Sequence, residues 1–287
     1  MGVQMESGWH KFEDVSDFNL KHTFECGQCF RWERSAKDSY TGVVLGKVIH
    51  VTENQDGILL QGAEKEELDQ YFELSRDYQE IKRYLEKDPV MRKAVEFGYG
   101  IRILNQDPWE TLISFLISQN RSIPLIKKSI EEISYRFGES LGVHNEKEYF
   151  SFPGPETLAS AEEAELAACR LGYRQRYVRE TAEIIAGKPD VLQDLKENGS
   201  DEEILAFLKS LPGVGPKVAH CIMLFSMGRH TSFPVDVWIG RVMAAFYGLN
   251  EKDHEIIQSF ASRNYGKFGG YAQQYLFYYA REKGIGK

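Results

Sequence analysis

Residues 211–219 read Leu-Pro-Gly-Val-Gly-Pro-Lys-Val-Ala, and they leave the backbone little choice. A run of apolar residues with helical spacing ends at Ser210, so a helix stops there. Leu-Pro-Gly-Val-Gly turns the chain tightly, and Pro216 opens a second helix in its preferred first position. Gly213 and Gly215 permit positive φ and remove side-chain bulk. With Val214 between them, they leave a row of backbone N–H groups at a helix N-terminus, which suits an anionic phosphate. An ordinary helix–helix connection also uses Pro and Gly, but two glycines in this strict spacing favour the phosphate-facing turn. The stretch predicts a helix-hairpin-helix near 204–228.

The rest of the chain falls into two styles. Residues 39–62, "SYTGVVLGKVIHVTENQDGILLQG", alternate β-branched runs with Leu-Gly-Lys and Asn-Gln-Asp-Gly turns, a meander signal. From Lys65 the period becomes helical, with Asp88-Pro89 breaking the run. "ETLISFLISQN" (110–120) is apolar nearly all round and reads as a buried helix. Further helices are expected at about 123–137, 156–168, 173–187, 201–210, 216–228, 236–247, 251–263 and 270–282. The fold class is therefore α+β. A small N-terminal antiparallel sheet domain with flanking helices (1–104) precedes a mainly helical body (105–287), the boundary falling near 100–108.

Charge narrows the function classes. The net charge of −8 argues weakly against a polyanion partner, but its distribution matters more. From Ile204 through Val235 there is no Asp or Glu, while Lys209, Lys217 and Arg229 are present. "CRLGYRQRYVR" (169–179) is also acid-free and carries four arginines. Two locally basic stretches on an acidic chain suit a nucleic-acid surface of limited area, although solvated helix faces sample charge in the same way. No uninterrupted apolar run approaches ~20 residues, which argues against a membrane span. "MGVQMESGWHKFEDV" shows no targeting pattern, and four cysteines make no disulfide framework at this length. A cytoplasmic location is expected.

At this point the motifs become specific. "LPGVGPKVA" resembles the hairpin of the helix-hairpin-helix DNA glycosylases, and "FPVDVWIGRV" (233–242) resembles the loop and Asp that complete their signature. Within that superfamily, Lys directly after the hairpin marks the bifunctional glycosylase/lyase branch. "CGQCFRW" (26–32), "LGYRQRYV" (171–178) and "GGYAQQYLF" (269–277) narrow the resemblance to the 8-oxoguanine DNA glycosylases. The similarity runs along essentially the whole chain in the expected order. It implies a base-excision enzyme that acts as a monomer on double-stranded DNA containing 8-oxoguanine. No cofactor is required, no metal is held catalytically, and a structural cation at the hairpin is left open.

The resemblance assigns roles that the residues can physically fill. Lys217, second in its helix, sits beside the positive end of the helix dipole, which favours a free amine over an ammonium. That amine attacks the sugar C1′, displaces the base and forms a Schiff base, after which β-elimination cuts the strand. Asp236 lies one helix and one loop further on, and its carboxylate is placed to stabilise an oxocarbenium-like transition state and help deprotonate the lysine. On its own residues, Asp236 is also a good N-cap for "VWIGRVMAAF", and Lys217 a good phosphate contact.

A glycosylase must also extrude its base and read it in a pocket. By resemblance, Phe277 and Cys221 sandwich the base, Gln273 reads its Watson–Crick edge, and the Gly27 carbonyl accepts from N7–H. Guanine lacks that hydrogen, so the same acceptor repels it, a difference of order a few kcal/mol. Asn120 fills the vacated stack, Tyr173 wedges the opposite strand, and Arg174 contacts the orphaned cytosine. Gly213, Val214, Gly215 and Trp238 meet the backbone. Two positions depart from the family's better-known animal members. A second cytosine-contacting arginine aligns with Leu125, implying weaker opposite-base discrimination, and a phosphate-contacting histidine aligns with Trp238.

Rival readings are a sister glycosylase for another damaged base and a non-catalytic DNA-binding helix-hairpin-helix protein. No cysteine follows Cys221, which excludes the C-terminal four-cysteine cluster common in the adenine and pyrimidine enzymes. The Cys26-Gly-Gln-Cys29 pair has neither a second ligand pair for a metal nor a βαβ context for redox work. Its thiols are expected to be incidental.

Overall fold

The computed structural model describes residues 8–13, 17–54 and 57–285. The N-terminal stretch expected to carry no targeting signal lies largely outside the described residues, as do residues 55 and 56 of the Asn-Gln-Asp-Gly turn. Strand β1 (Trp9–Phe12) and helix α1 (Leu20–Glu25) lead into β2 (Trp32–Ala36), β3 (Ser39–Val44), β4 (Lys47–Asn54) and β5 (Gly57–Gln61). The five strands pair antiparallel in the order β1-β5-β4-β3-β2. Register follows the apolar alternation: Tyr40 faces Val51, Val51 faces Leu60, and all three are buried. Phe24 stacks on Trp32 at 4.2 Å in that core, with Phe72 and Leu104 in the same cluster. The two edge strands, "WHKF" and "WERSA", lack that alternation, and pairing with the meander makes them strands.

The helices follow as α2 (Lys65–Phe72), α3 (Tyr78–Leu85), α4 (Pro89–Phe97), α5 (Pro108–Ser118) and α6 (Ile123–Phe137). After a β-hairpin of β6 (Ser140–His144) and β7 (Lys147–Phe150) come α7 (Pro155–Ser160), α8 (Glu163–Ala168), α9 (Arg174–Ala186) and α10 (Val191–Asn198). The chain closes with α11 (Asp201–Ser210), α12 (Pro216–Ser226), α13 (Val237–Tyr247), α14 (His254–Tyr265) and α15 (Gly269–Lys283). The expected helix at 156–168 is two helices, because Ala161 and Glu162 are extended. The β6–β7 hairpin and α10 were not anticipated. Asn145 and Glu146 turn that hairpin at φ 50° and 64°, and Asn-Glu lacks the glycine that usually announces such a turn.

Local chemistry sets the helix ends. Asp107, Asp77, Ser200 and Asp236 each accept a backbone N–H three residues on, at 2.7–3.2 Å. Helix α5 is buried on most of its surface, as its composition predicts, and packs against α12, α6 and α9. Helix α15 runs through the middle of the body against α4 and α13, and ten of its residues are buried. Helix α5 thus supports α12 of the hairpin, and α15 carries the C-terminal motif.

Candidate active site

The hairpin forms where the sequence placed it. Val214 N–H donates to the Leu211 carbonyl at 3.1 Å, closing the turn between α11 and α12. The two glycines serve different ends. Gly213 adopts φ 76°, and a Cβ there would stand 2.5 Å from the Tyr177 ring. Gly215 has an ordinary φ of −88°, is exposed, and a Cβ would meet nothing within 4 Å. Gly215 is the N-cap of α12, and among the described residues no atom crowds the space a side chain there would take. Val214 is buried under the turn.

Lys217 emerges half-buried from the first turn of α12, with its Nζ 5.2 Å from the centre of the Phe115 ring. The Cys221 thiol lies one turn on, fully buried; burial pushes its pKa up, against the pull of Lys217, and Asp236 adds to the rise. Asp236 caps α13 by accepting from Ile239 N–H at 2.9 Å. Burial pushes its carboxyl above the ordinary value, opposed by that hydrogen bond and then by the charge of Lys217. Amine, thiol and carboxylate thus share one electrostatic neighbourhood, although 19 residues separate Lys217 from Asp236 along the chain.

Helix α15, packed against α13 whose cap is Asp236, carries the second group of candidate residues. Gln273 is 5% exposed, and its Oε1 has no hydrogen-bond partner among the described residues. A buried amide oxygen left without a hydrogen bond costs about 1–3 kcal/mol, so this atom is available to a partner that reaches it. Phe277 is half-buried one turn on. Gly27 has φ 91°, and a Cβ on it would stand 3.2 Å from Phe277 Cε1. The N-terminal motif and the C-terminal motif, 250 positions apart, therefore touch.

A third group lies beside the hairpin. Asn120 is exposed and adopts φ 50°, a left-handed conformation that Asn tolerates better than most residues. Its neighbour Gln119 donates to the Leu116 and Gly213 carbonyls at 3.2 and 3.1 Å, tying this loop to the hairpin. Tyr173 is 58% exposed and meets Tyr177 edge-on, the same Tyr177 that covers Gly213. Arg174 differs from its expected outward reach. It is only 6% exposed and donates to the carbonyls of Gln119, Asn120 and Leu171, bracing the Asn120 loop from beneath. Leu125 is 48% exposed, and Trp238 is half-buried with Arg241 5.5 Å from its ring.

Comparison with known proteins decides what this constellation belongs to. Residues 12–112 match the family described as 8-oxoguanine DNA glycosylase, N-terminal domain. Residues 113–265 match the HhH-GPD superfamily base excision DNA repair proteins. The chain belongs to the HhH-GPD superfamily. It is 30% identical to a probable N-glycosylase/DNA lyase of Methanothermobacter thermautotrophicus, over 94% of this chain and 96% of that one. An N-glycosylase/DNA lyase of Arabidopsis thaliana is also 30% identical, over 91% of this chain and 77% of its own length. The 8-oxoguanine glycosylase/lyase of Clostridium acetobutylicum has been solved with double-stranded DNA containing cytosine opposite 8-oxoguanine. It superposes with a TM-score of 0.92 at 40% identity, covering 98% of this chain and 97% of that one.

Two residues beside these candidates carried no signal of their own in the sequence. Gln28, between the two cysteines of the N-terminal motif, is fully buried. Its amide donates to the Thr23 and Arg102 carbonyls at 2.9 and 2.7 Å and accepts from Leu104 N–H at 2.9 Å. Only its setting, inside an aromatic stretch, was a signal, because an amide there needs several partners. Phe115, beneath Lys217, was hidden in an apolar helix where every residue looks like core. The thiols themselves are inert: both are buried and free, and burial pushes Cys26 up to about 11 and Cys29 higher still. Among the described residues, no group of three or more His, Cys, Asp and Glu gathers to hold a metal, and no helix is long and apolar enough to cross a membrane.

Proposed function

We propose that this chain excises 8-oxoguanine from duplex DNA through Lys217 and then cleaves the strand at the resulting site. The Lys217 amine forms a bond to C1′ while the C1′–N9 bond breaks, and its electron pair leaves with the base, which takes up a proton. Asp236 stabilises the positive charge that develops on the sugar and accepts the proton lost by the amine. Ring opening gives a Schiff base between Lys217 and C1′. Loss of a C2′ proton then expels the 3′ phosphate by breaking C3′–O3′, and water releases the lysine. The hairpin N–H groups hold a backbone phosphate nearby, which brings C1′ to the amine.

Recognition divides between α12 and α15. Cys221 on α12 and Phe277 on α15 flank the base, Gln273 offers its unsatisfied amide to the Watson–Crick edge, and the Gly27 carbonyl faces N7. Asn120 and Tyr173 are exposed on the hairpin side, in reach of the gap that the flipped base leaves. The observation that carries this reading is the placement of Lys217 at the start of the hairpin helix, against Cys221 and Asp236. Borohydride reduction during reaction with an 8-oxoguanine duplex tests it. Wild type is expected to become covalently attached to the DNA, and Lys217→Gln is not. An adduct of undiminished yield with the variant, or none with wild type, would end the proposal.

A further inference from the structure

Two more side chains of α15 reach the residues around Gly27. Gln274 is buried and donates to the Cys26 carbonyl at 3.0 Å. Arg281 donates through Nη2 to the Glu25 carbonyl. From the opposite side, the Gln106 amide donates to the Gln28 carbonyl at 2.9 Å. The carbonyls of residues 25, 26 and 28 are thus each held, while among the described residues no hydrogen bond ends on that of Gly27. A backbone secured on both sides of one uncommitted acceptor is a backbone whose acceptor direction is fixed.

Arg281 does more than its one hydrogen bond. Its Nη1 lies 3.2 Å from where a Gly27 Cβ would stand, at the same distance as Phe277 Cε1. Its guanidinium carbon sits 5.5 Å from the centre of the Phe277 ring and 5.7 Å from that of Tyr278. Nε donates to the Glu282 carboxylate at 3.0 Å, and Nη1 is buried without a partner among the described residues. One planar cation therefore contacts the Gly27 segment, the Phe277 ring and the helix that carries both pocket side chains. A lysine could supply the charge but not the fork or the stacking.

We propose that Arg281 is a positioning residue for base discrimination: it aims the Gly27 carbonyl at N7 of the flipped base and clamps Phe277 to the same segment. This rests on the pocket reading above. Without Arg281, Glu25 loses its tether and Phe277 loses its cover, so the carbonyl wanders from its line to N7. Displacements of that kind cost about 10- to 100-fold in rate without touching the reacting groups. Base reading suffers; the amine chemistry of Lys217 at an abasic sugar, where no base is present, does not.

The test compares wild type, Arg281→Met, Arg281→Lys and Gly27→Ala in two single-turnover assays with thermal melting alongside. One follows excision of 8-oxoguanine from duplex DNA, the other β-elimination at a preformed abasic site. Arg281→Met is expected to lose about tenfold or more in excision while abasic cleavage stays within about twofold, and Arg281→Lys to fall between. Wild-type excision by Arg281→Met overturns the assignment, and so does an equal loss in both assays, which would show a merely structural role. Should Arg281→Met fail to fold, the same split in Arg281→Lys decides. Gly27→Ala separates the two levels of argument. If it excises like wild type, the pocket reading itself fails; if it is impaired while Arg281→Met is not, only the present inference does.

Discussion

At Asp236 the helix cap and the proposed chemistry make opposite demands on one carboxyl. Its carboxyl caps α13 and is pushed above the usual carboxylate value mainly by burial. A raised acid pKa means the folded state holds the proton more tightly than the unfolded chain does. Stability from this group is therefore fully present below the ordinary Asp pKa and lost as pH rises through the raised one. The mechanism proposed for Lys217 and Asp236 uses the ionised form, so it would operate where this residue stabilises least. Asp236→Asn keeps a capping oxygen and removes the buried charge. It is expected to melt higher than wild type at neutral pH and at the same temperature at low pH, while excision falls by roughly 10²- to 10⁴-fold. The acid limb of the wild-type rate profile is expected above the ordinary Asp range of about 3.9. A limb at or below that value, or an Asn variant that melts lower at neutral pH, would contradict the argument. Sequence showed both candidate roles of Asp236, cap and carboxylate, because each is a matter of residue type and spacing. It could not show that Arg174 turns inward, since that depends on carbonyls at 119 and 120 arriving from another helix.

At the level of elements, the hairpin was legible because its constraints are local. Pro216 and the residue types around it fix where α11 ends and α12 begins, whatever packs nearby. Which glycine does what was not legible. Gly213 alone uses positive φ, and its second constraint, the Tyr177 ring, comes from α9. That ring also meets Tyr173, so the hairpin and the exposed tyrosine share one support. Gly213→Ala places a methyl 2.5 Å from an aromatic ring at a strained φ, and something must shift. The expected cost is about 1–3 kcal/mol of stability, read by denaturant unfolding. DNA affinity is expected to fall as well, with a shallower dependence on salt because a phosphate contact is lost. Gly215→Ala meets no atom within 4 Å and only exchanges a good N-cap of α12 for a poor one, so it is expected to cost at most about 1 kcal/mol, and a loss in DNA binding beyond that measures the approach of the backbone. Equal destabilisation by the two variants would refute this division of labour. The unanticipated elements, β6, β7 and α10, are short and half-exposed, and neighbours rather than patterns make them.

Across the whole molecule, the site exists because three distant segments are locked together, and the locks are polar groups in the interior. Gln28 ties the N-terminal motif to residues 102–106, and Arg31 continues the same strand of contacts outward. Arg31 pairs with Glu110 on α5 at 3.4 Å and donates to the Phe150 carbonyl of β7, so one guanidinium joins motif, buried helix and hairpin. None of this could be read from periodicity, because each partner is 70 or more positions away. Burial dominates the Glu110 carboxyl and pushes it up to about 7, with Arg31 opposing and Asp107 adding to the rise. In the unfolded chain it titrates near the ordinary Glu value of about 4.3. Between those values the folded protein retains a proton that the unfolded chain releases. Stability contributed here is complete below the lower value and drains away as pH climbs through about 7. The slope from this one group approaches 1.4 kcal/mol per pH unit at most, and is nearer 1 for a side chain that is partly open to water. Glu110→Gln keeps the shape and a partner for Arg31 without the charge. Urea unfolding at pH 5 and pH 8 is expected to show wild type losing stability across that interval and the variant losing less, so that their order reverses or their gap widens in the variant's favour at pH 8. Parallel curves for the two proteins would mean that Arg31 neutralises Glu110 fully and that the pair, not burial, sets its ionisation.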